Sequence, residues 1–193
     1  MIHEKFIDLL TIQQEILVDS TIKNNAKEAA VLVIINQISG EEDKVIVIKR
    51  NEYDGPHSGQ IALPGGKKDP TDIDLVETAY REVEEELGLD LRNFVLKPIN
   101  PHWVIVSNFW VQPYFTIVNK KLEFNLNKRE INRIFEIPVS FLQDVGNLQA
   151  HQINILKKNY WAPLFKYDNE IIWGATAIFL YELFHLKKDS IYK

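Results

Sequence analysis

Within the run Arg81-Glu82-Val83-Glu84-Glu85-Glu86-Leu87-Gly88, three glutamates stand at spacings that gather their carboxylates. Glu82, Glu85 and Glu86 occupy i, i+3 and i+4, so a helix carries them on one face while Glu84 points elsewhere. Like charges that close repel one another, and some take up protons unless a cation intervenes. A hard divalent cation such as Mg2+ or Mn2+ resolves the conflict, because it favours carboxylate oxygens and commonly shares them with substrate phosphates. A glutamate run is by default a solvated helix face, but the surroundings of this one argue for more. Arg81 can pair with Glu77 or Glu85 one turn away and hold a carboxylate in place. Upstream, Pro64-Gly65-Gly66 forces a tight turn where backbone can approach an ion or a phosphate without a side chain in the way.

The helix that presents these acids is read over residues 72–87, with Thr71 or Asp72 as N-cap and Gly88 at its left-handed end. Its other face carries Val76, Ala79, Val83 and Leu87 at the spacing of a buried stripe. Ahead of it, the β-branched runs 29–38 and 44–49 flank a turn signal at 39–43 and read as strands. Residues 51–58, which include Gly55-Pro56, read as a loop. An N-terminal helix is expected over about 4–19, and strands over 94–99, 103–106 and 109–118. A short helix at 138–144 has proline in its first turn, a strand pair follows near 153–156 and 160–166, and a closing helix spans about 173–187. Such a mixture predicts an α+β fold with a mixed β-sheet between α-helices, in one domain covering residues 1–193.

Composition narrows the classes. A chain of 193 residues with 46% hydrophobic residues can bury one sizeable core. The absence of cysteine excludes a disulfide framework and cysteine chemistry, and suits a reducing cytoplasm. The first ten residues, interrupted by His3, Glu4 and Lys5, do not read as a secretion signal, and the longest apolar run is too short for a bilayer. A net charge of −5 argues against a general nucleic-acid surface. Most lysine pairs are solubility features, but Lys49, Arg50, Lys67 and Lys68 flank the acidic motif and can meet phosphates.

At these residues the sequence resembles the Nudix hydrolases. Their signature is a glycine, a downstream acid, then Arg-Glu-aliphatic-any-Glu-Glu-any-Gly-aliphatic, here Gly66, Asp72 and Arg81 to Leu89. Asp72 replaces the usual glutamate, and one extra residue separates it from Arg81. Both features resemble the branch that hydrolyses coenzyme A, as do Thr78-Ala79 and the run His57-Ser58-Gly59-Gln60-Ile61-Ala62-Leu63-Pro64-Gly65-Gly66. Gly55 stands where that branch often has arginine, and Ile48 where it often has threonine. Further matches are Pro113 in an apolar strand, the acidic loop 130–138 and the run 172–177. The likeness covers about residues 30–184, within which the Nudix box occupies 66–89.

The resemblance implies a Nudix fold and a pyrophosphohydrolase using Mg2+ or Mn2+. It implies metal ligation by Glu82, Glu85, Glu86 and the Gly66 carbonyl, with Arg81 positioning Glu85. Glu130 is the candidate for a further acid acting as base or ligand; its alternative is a helix cap or a pair with Arg133. Glu123 and Glu136 are weaker rivals. Arg50, His57 and Lys67 are the candidate substrate contacts, a structural hydrogen bond being the alternative for His57. His3, His102, His151 and His185 are read as packing or surface residues, and the four tryptophans first of all as core candidates. The expected reaction cleaves coenzyme A or an acyl-CoA into (acyl-)4′-phosphopantetheine and adenosine 3′,5′-bisphosphate. Hydrolysis of ADP-ribose, NADH or another nucleoside diphosphate derivative is the alternative, and a non-catalytic nucleotide-binding module the third. A homodimer agrees with the family's habit.

Overall fold

In a computed structural model, residues 1–18, 25–54, 57–187 and 191 are described. The sheet grows from β1 (Lys27–Asn36), an almost continuous apolar strand that is buried on both faces. Leu32 and Ile34 look to one side, Val33 and Ile35 to the other. β2 (Lys44–Arg50) folds back antiparallel to β1, with Ile34 opposite Ile46, and adds Ile46 and Ile48 to the first side, Val45 and Val47 to the second. The two-residue β3 (Ile61–Ala62) lies on β2, and β4 (Gly65–Lys67) lies antiparallel on β1. β7 (Phe109–Val118) runs parallel to β1 along its whole length, with Pro113 opposite Val31, which makes the sheet mixed. Short β5 (Lys97–Pro98) and β6 (His102–Val104) pair with β7. β8 (Ile131–Pro138) pairs antiparallel with β2 and closes that side.

Helix α2 (Leu75–Leu87) covers the first face, where Val83 and Leu87 pack on Leu32, Ile34, Ile46 and Ile48. The second face is covered by α3 (Val139–Gln143), by α4 (Gly174–Tyr181) with a π turn over Glu182–Leu186, and by a separate three-stranded meander. The meander is β9 (Leu148–Ile155), β10 (Lys158–Tyr167) and β11 (Glu170–Ile172). Helix α1 (Ile7–Val18) follows a 3-10 turn at Ile2–Phe6 and sets Leu9 against Ile155, Ala162 and Ile178. The result is the expected α+β sandwich.

Several expectations need correction. Helix α2 starts at Leu75, and its cap is Asp74, whose side chain accepts from the Val76 and Glu77 amides at 2.9 Å. Asp72 does not serve as cap because Arg81 engages its carboxylate. The strand read over 94–99 shrinks to Lys97–Pro98, and that over 103–106 becomes His102–Val104 followed by a 3-10 turn. Segment 130–138 is mostly strand, its buried positions Ile131, Phe135 and Ile137 hidden among charged neighbours. β9 starts at Leu148, ahead of the apolar residues that signalled it. The closing helix loses its regular α geometry at Glu182. Residue 19 and Gly55-Pro56 lie outside the described residues.

Candidate active site

Four backbone segments meet at one edge of the sheet. The chain leaves β3 through Pro64, whose carbonyl accepts from the Leu32 amide at 2.9 Å. It then enters β4, where Gly65 faces Val31 and Gly66 faces Ala30. Gly65 has φ 144°, and a Cβ there would stand 2.3 Å from the Ala30 carbonyl oxygen. Gly66 is required for a different reason. A Cβ on it would lie 2.4 Å from a Glu82 carboxylate oxygen, so the turn and the acidic helix are in contact through a glycine surface.

The three glutamates occupy different environments. Glu86 is 1% exposed, and the Gly65 amide donates to its Oε2 at 2.9 Å. Arg50 Nη2 stands 3.6 Å from its other oxygen. Burial pushes Glu86 up to about 8 against the pull of Arg50 and the Gly65 amide, and the charges of Glu82 and Glu130 push the same way. Burial also raises Glu82, opposed by Arg81. Glu85 remains 56% exposed and reaches inward to Arg81. Glu84 points away, as the spacing predicts, and the structure pairs it with Arg92.

Arg81 is the hub of this edge. Its Nε and Nη2 donate to the two oxygens of Asp72, both at 2.9 Å, in a bidentate fork. Nη1 reaches Glu82 at 2.9 Å and Glu85 at 3.2 Å, and Nη2 also donates to the Lys67 carbonyl at 3.0 Å. The expected Glu85 pair is therefore present, whereas Glu77 pairs with Arg92 instead. Asp72 accepts further bonds from the Asp69 amide and the Thr78 hydroxyl. Arg81 in turn holds the Asp72 carboxyl well below the usual carboxylate range. The Asp72, Thr78 and Arg81 cluster was not foreseen as a unit, because Asp72 precedes the helix and no helical spacing joins it to Thr78 or Arg81.

Glu130 lies beside these groups. The Asn127 amide donates to the Glu86 carbonyl at 3.0 Å, the Asn127 side chain to Glu130 Oε1 at 3.1 Å, and the Asn51 amide to the Glu130 carbonyl at 2.8 Å. The loop that carries Glu130 is thus tied to the end of α2 and the end of β2. The alternative pair with Arg133 does not form, since Arg133 bonds Asp168. Glu136 pairs with Lys44 at the far end of β2. His57, at φ 68°, places Nδ1 3.1 Å from Gln60 Oε1, which is the structural alternative. Lys67 is exposed beside the turn. Arg50 turns inward, a placement the sequence did not predict, and its Nη2 donates to the Gly65 carbonyl at 3.2 Å.

The donor set suits a hard divalent cation: carboxylates on one helix turn, a side-chain-free backbone approach at Gly66, and acids whose crowding calls for positive charge. Arg81 presently bridges Glu82 and Glu85, and among the described residues no three acidic or imidazole groups converge closely enough to hold an ion as they stand.

An α+β sandwich with a glycine turn against an acidic helix defines a phosphoanhydride-hydrolase type of site. The NUDIX domain family matches residues 26–158, more than half of the chain, and this chain belongs to the Nudix hydrolase family. It is 32% identical over 163 residues to the uncharacterized Nudix hydrolase NudL of Yersinia enterocolitica, covering 82% of this chain and 80% of that protein. The namesake of Pectobacterium atrosepticum is 29% identical over 157 residues, with 81% of each covered. Among solved structures, a NUDIX hydrolase from Alicyclobacillus acidocaldarius superposes with TM-score 0.53 over 61% of this chain and 81% of that one, at 18% identity. At that identity the superposition speaks for the fold alone. The family is one of pyrophosphate-bond hydrolases that generally use divalent metal ions.

Proposed function

We propose that this enzyme hydrolyses the pyrophosphate of coenzyme A or an acyl-CoA, giving (acyl-)4′-phosphopantetheine and adenosine 3′,5′-bisphosphate. The observation that carries the hydrolytic part is the contact between Gly66 and Glu82 beside the buried Glu86, which unites the turn and the helix in one site. The substrate rests on the run His57 to Gly66, on Asp72, and on Thr78-Ala79, with Thr78 and Asp72 now seen bonded to one another at 2.8 Å. Ile48, one of two departures from the coenzyme A pattern, is fully buried against α2 and does not face substrate. Its difference is a matter of core packing.

Glu82, Glu85, Glu86 and the Gly66 carbonyl are the groups that would hold Mg2+ or Mn2+. Such an ion, when bound, screens the phosphate oxygens and makes a nearby water more acidic. Glu130, placed by Asn127 and Asn51, is suited to take a proton as general base. Arg81 keeps Glu82 and Glu85 in reach while Asp72 anchors it. Lys67 offers an exposed cation at the turn for a substrate phosphate, and His57 keeps the preceding loop closed onto Gln60. A cytoplasmic enzyme agrees with the cysteine-free sequence.

Competition among equal amounts of coenzyme A, ADP-ribose and NADH, read as relative kcat/KM by mass spectrometry, tests the substrate. Coenzyme A consumed first supports the reading. Preferential cleavage of ADP-ribose or NADH moves the enzyme to the alternative substrate class, and nucleotide binding without turnover makes it a binding module.

A further inference from the structure

We infer that Arg50 is a positioning residue that acts through Glu86 and the Gly65 carbonyl, and is not a contact for substrate phosphate. This inference rests on the metal-site reading above. Side chains alternate along β2, so Ile46, Ile48 and Arg50 follow one another on the face that packs against α2. The strand therefore delivers a cation at the end of an apolar row, where a carboxylate is buried. An isolated buried carboxylate is costly unless it is paired and hydrogen-bonded. Glu86 has two such partners named by the geometry, the Gly65 amide at 2.9 Å and the Arg50 guanidinium at 3.6 Å.

The same Nη2 atom donates to the Gly65 carbonyl at 3.2 Å. Arg50 thus spans two halves of the site, the glycine turn and the helix, from a third element. The backbone around it reinforces that placement. The pairing of β2 with β8 is irregular between Lys49 and Arg50, so that Arg50 lies opposite Ile131, immediately after Glu130. The next amide, that of Asn51, donates to the Glu130 carbonyl at 2.8 Å. One strand end fixes the spacing between Glu86, Gly65 and Glu130. With 27% of its side chain exposed and its inner nitrogen already shared between Gly65 and Glu86, Arg50 is oriented toward the protein.

A group that supports a ligand affects turnover and metal affinity, whereas a phosphate contact affects substrate binding. In the full chain, Arg50→Gln is expected to lower kcat and weaken Mn2+ binding measured without substrate, each by about 10- to 100-fold, with KM changed less than about threefold. Arg50→Lys, which keeps the charge but loses the planar guanidinium, should recover part of both losses. In a Glu86→Gln background, Arg50→Gln should add little to the loss of Mn2+ affinity, because the group it acts through is already altered. That background also removes the buried ionisable group, so the double variant can be read if Arg50→Gln alone folds poorly. A rise in KM of tenfold or more with Mn2+ affinity unchanged overturns the inference, as does an undiminished Arg50→Gln effect beside Glu86→Gln. If the wild-type chain binds no Mn2+, the metal-site reading fails and this inference falls with it. If wild type and Arg50→Gln bind Mn2+ equally, only the inference fails.

Discussion

Two buried glutamates lie in different parts of this molecule and show what burial alone does and does not signify. Glu86 is 1% exposed and sits at the meeting of β4, α2 and the end of β2, beside Glu82 and Glu130. Glu182 is 2% exposed and sits where the closing helix turns into its π turn, its Oε1 2.7 Å from His102 Nε2. Its other oxygen and His102 Nδ1 have no hydrogen-bond partner among the described residues. Both are acids withdrawn from water beside a basic residue. Of the two, Glu86 has other carboxylates and a side-chain-free backbone surface next to it, which is the setting the proposed metal site needs. The His102 region packs α1, β6 and the closing helix together, which matches the structural role read for His102.

Replacing an acid at each place should separate activity from stability. Glu85→Gln is expected to lose more activity than the roughly 100-fold typical of removing a group that merely supports a ligand. Its melting temperature should stay near wild type, because the side chain is half exposed. Steady-state rates and a thermal melt check this together. Asp72→Asn takes the bidentate carboxylate from Arg81 and should cost about 2 to 4 kcal/mol in denaturant unfolding. Arg81 depresses Asp72, so the stabilisation is full above the unfolded carboxylate value near pH 4 and is lost as pH falls below it. The variant should accordingly lose part of the wild type's acid sensitivity.

The two glycines sharpen the contrast on a scale of single methyl groups. Gly65→Ala would press on the Ala30 carbonyl and Val31 Cα, backbone that cannot yield, and should cost roughly 2 to 3 kcal/mol of stability. At Gly66→Ala the three nearest atoms all belong to the carboxylate end of the flexible Glu82 side chain. That variant should fold nearly normally while losing about 10- to 100-fold in kcat, since Glu82 must swing away. At the far site, Glu182→Gln should lower stability by about 1 to 2 kcal/mol and leave kcat/KM unchanged. The smallest effect is expected at Arg92, whose surface pairs with Glu77, Glu84 and Asp90 should together matter by less than about 1 kcal/mol on Arg92→Ala.

The helix of the site was legible because its two faces are written at helical period, with Ala79, Val83 and Leu87 inward and Glu82, Glu85 and Glu86 toward the turn. Its left-handed end at Gly88 was legible too, at φ 70° with the amide bonded to Glu84. Its start was not, because Asp72 and Asp74 are both capable caps and only the long-range claim of Arg81 on Asp72 decides between them. β8 was read as a loop because Arg133 and Glu136 interrupt its apolar positions at the edge of the sheet. The inward turn of Arg50 could not be seen either, since Glu86 stands thirty-six positions away and no local rule joins them.

The most direct test is product identification by mass spectrometry after incubation with coenzyme A and Mn2+, with and without a chelator, for the wild-type chain and Glu85→Gln. The account predicts 4′-phosphopantetheine and adenosine 3′,5′-bisphosphate from the wild type alone, abolished by the chelator. Equal cleavage by Glu85→Gln, or cleavage that survives chelation, would contradict it.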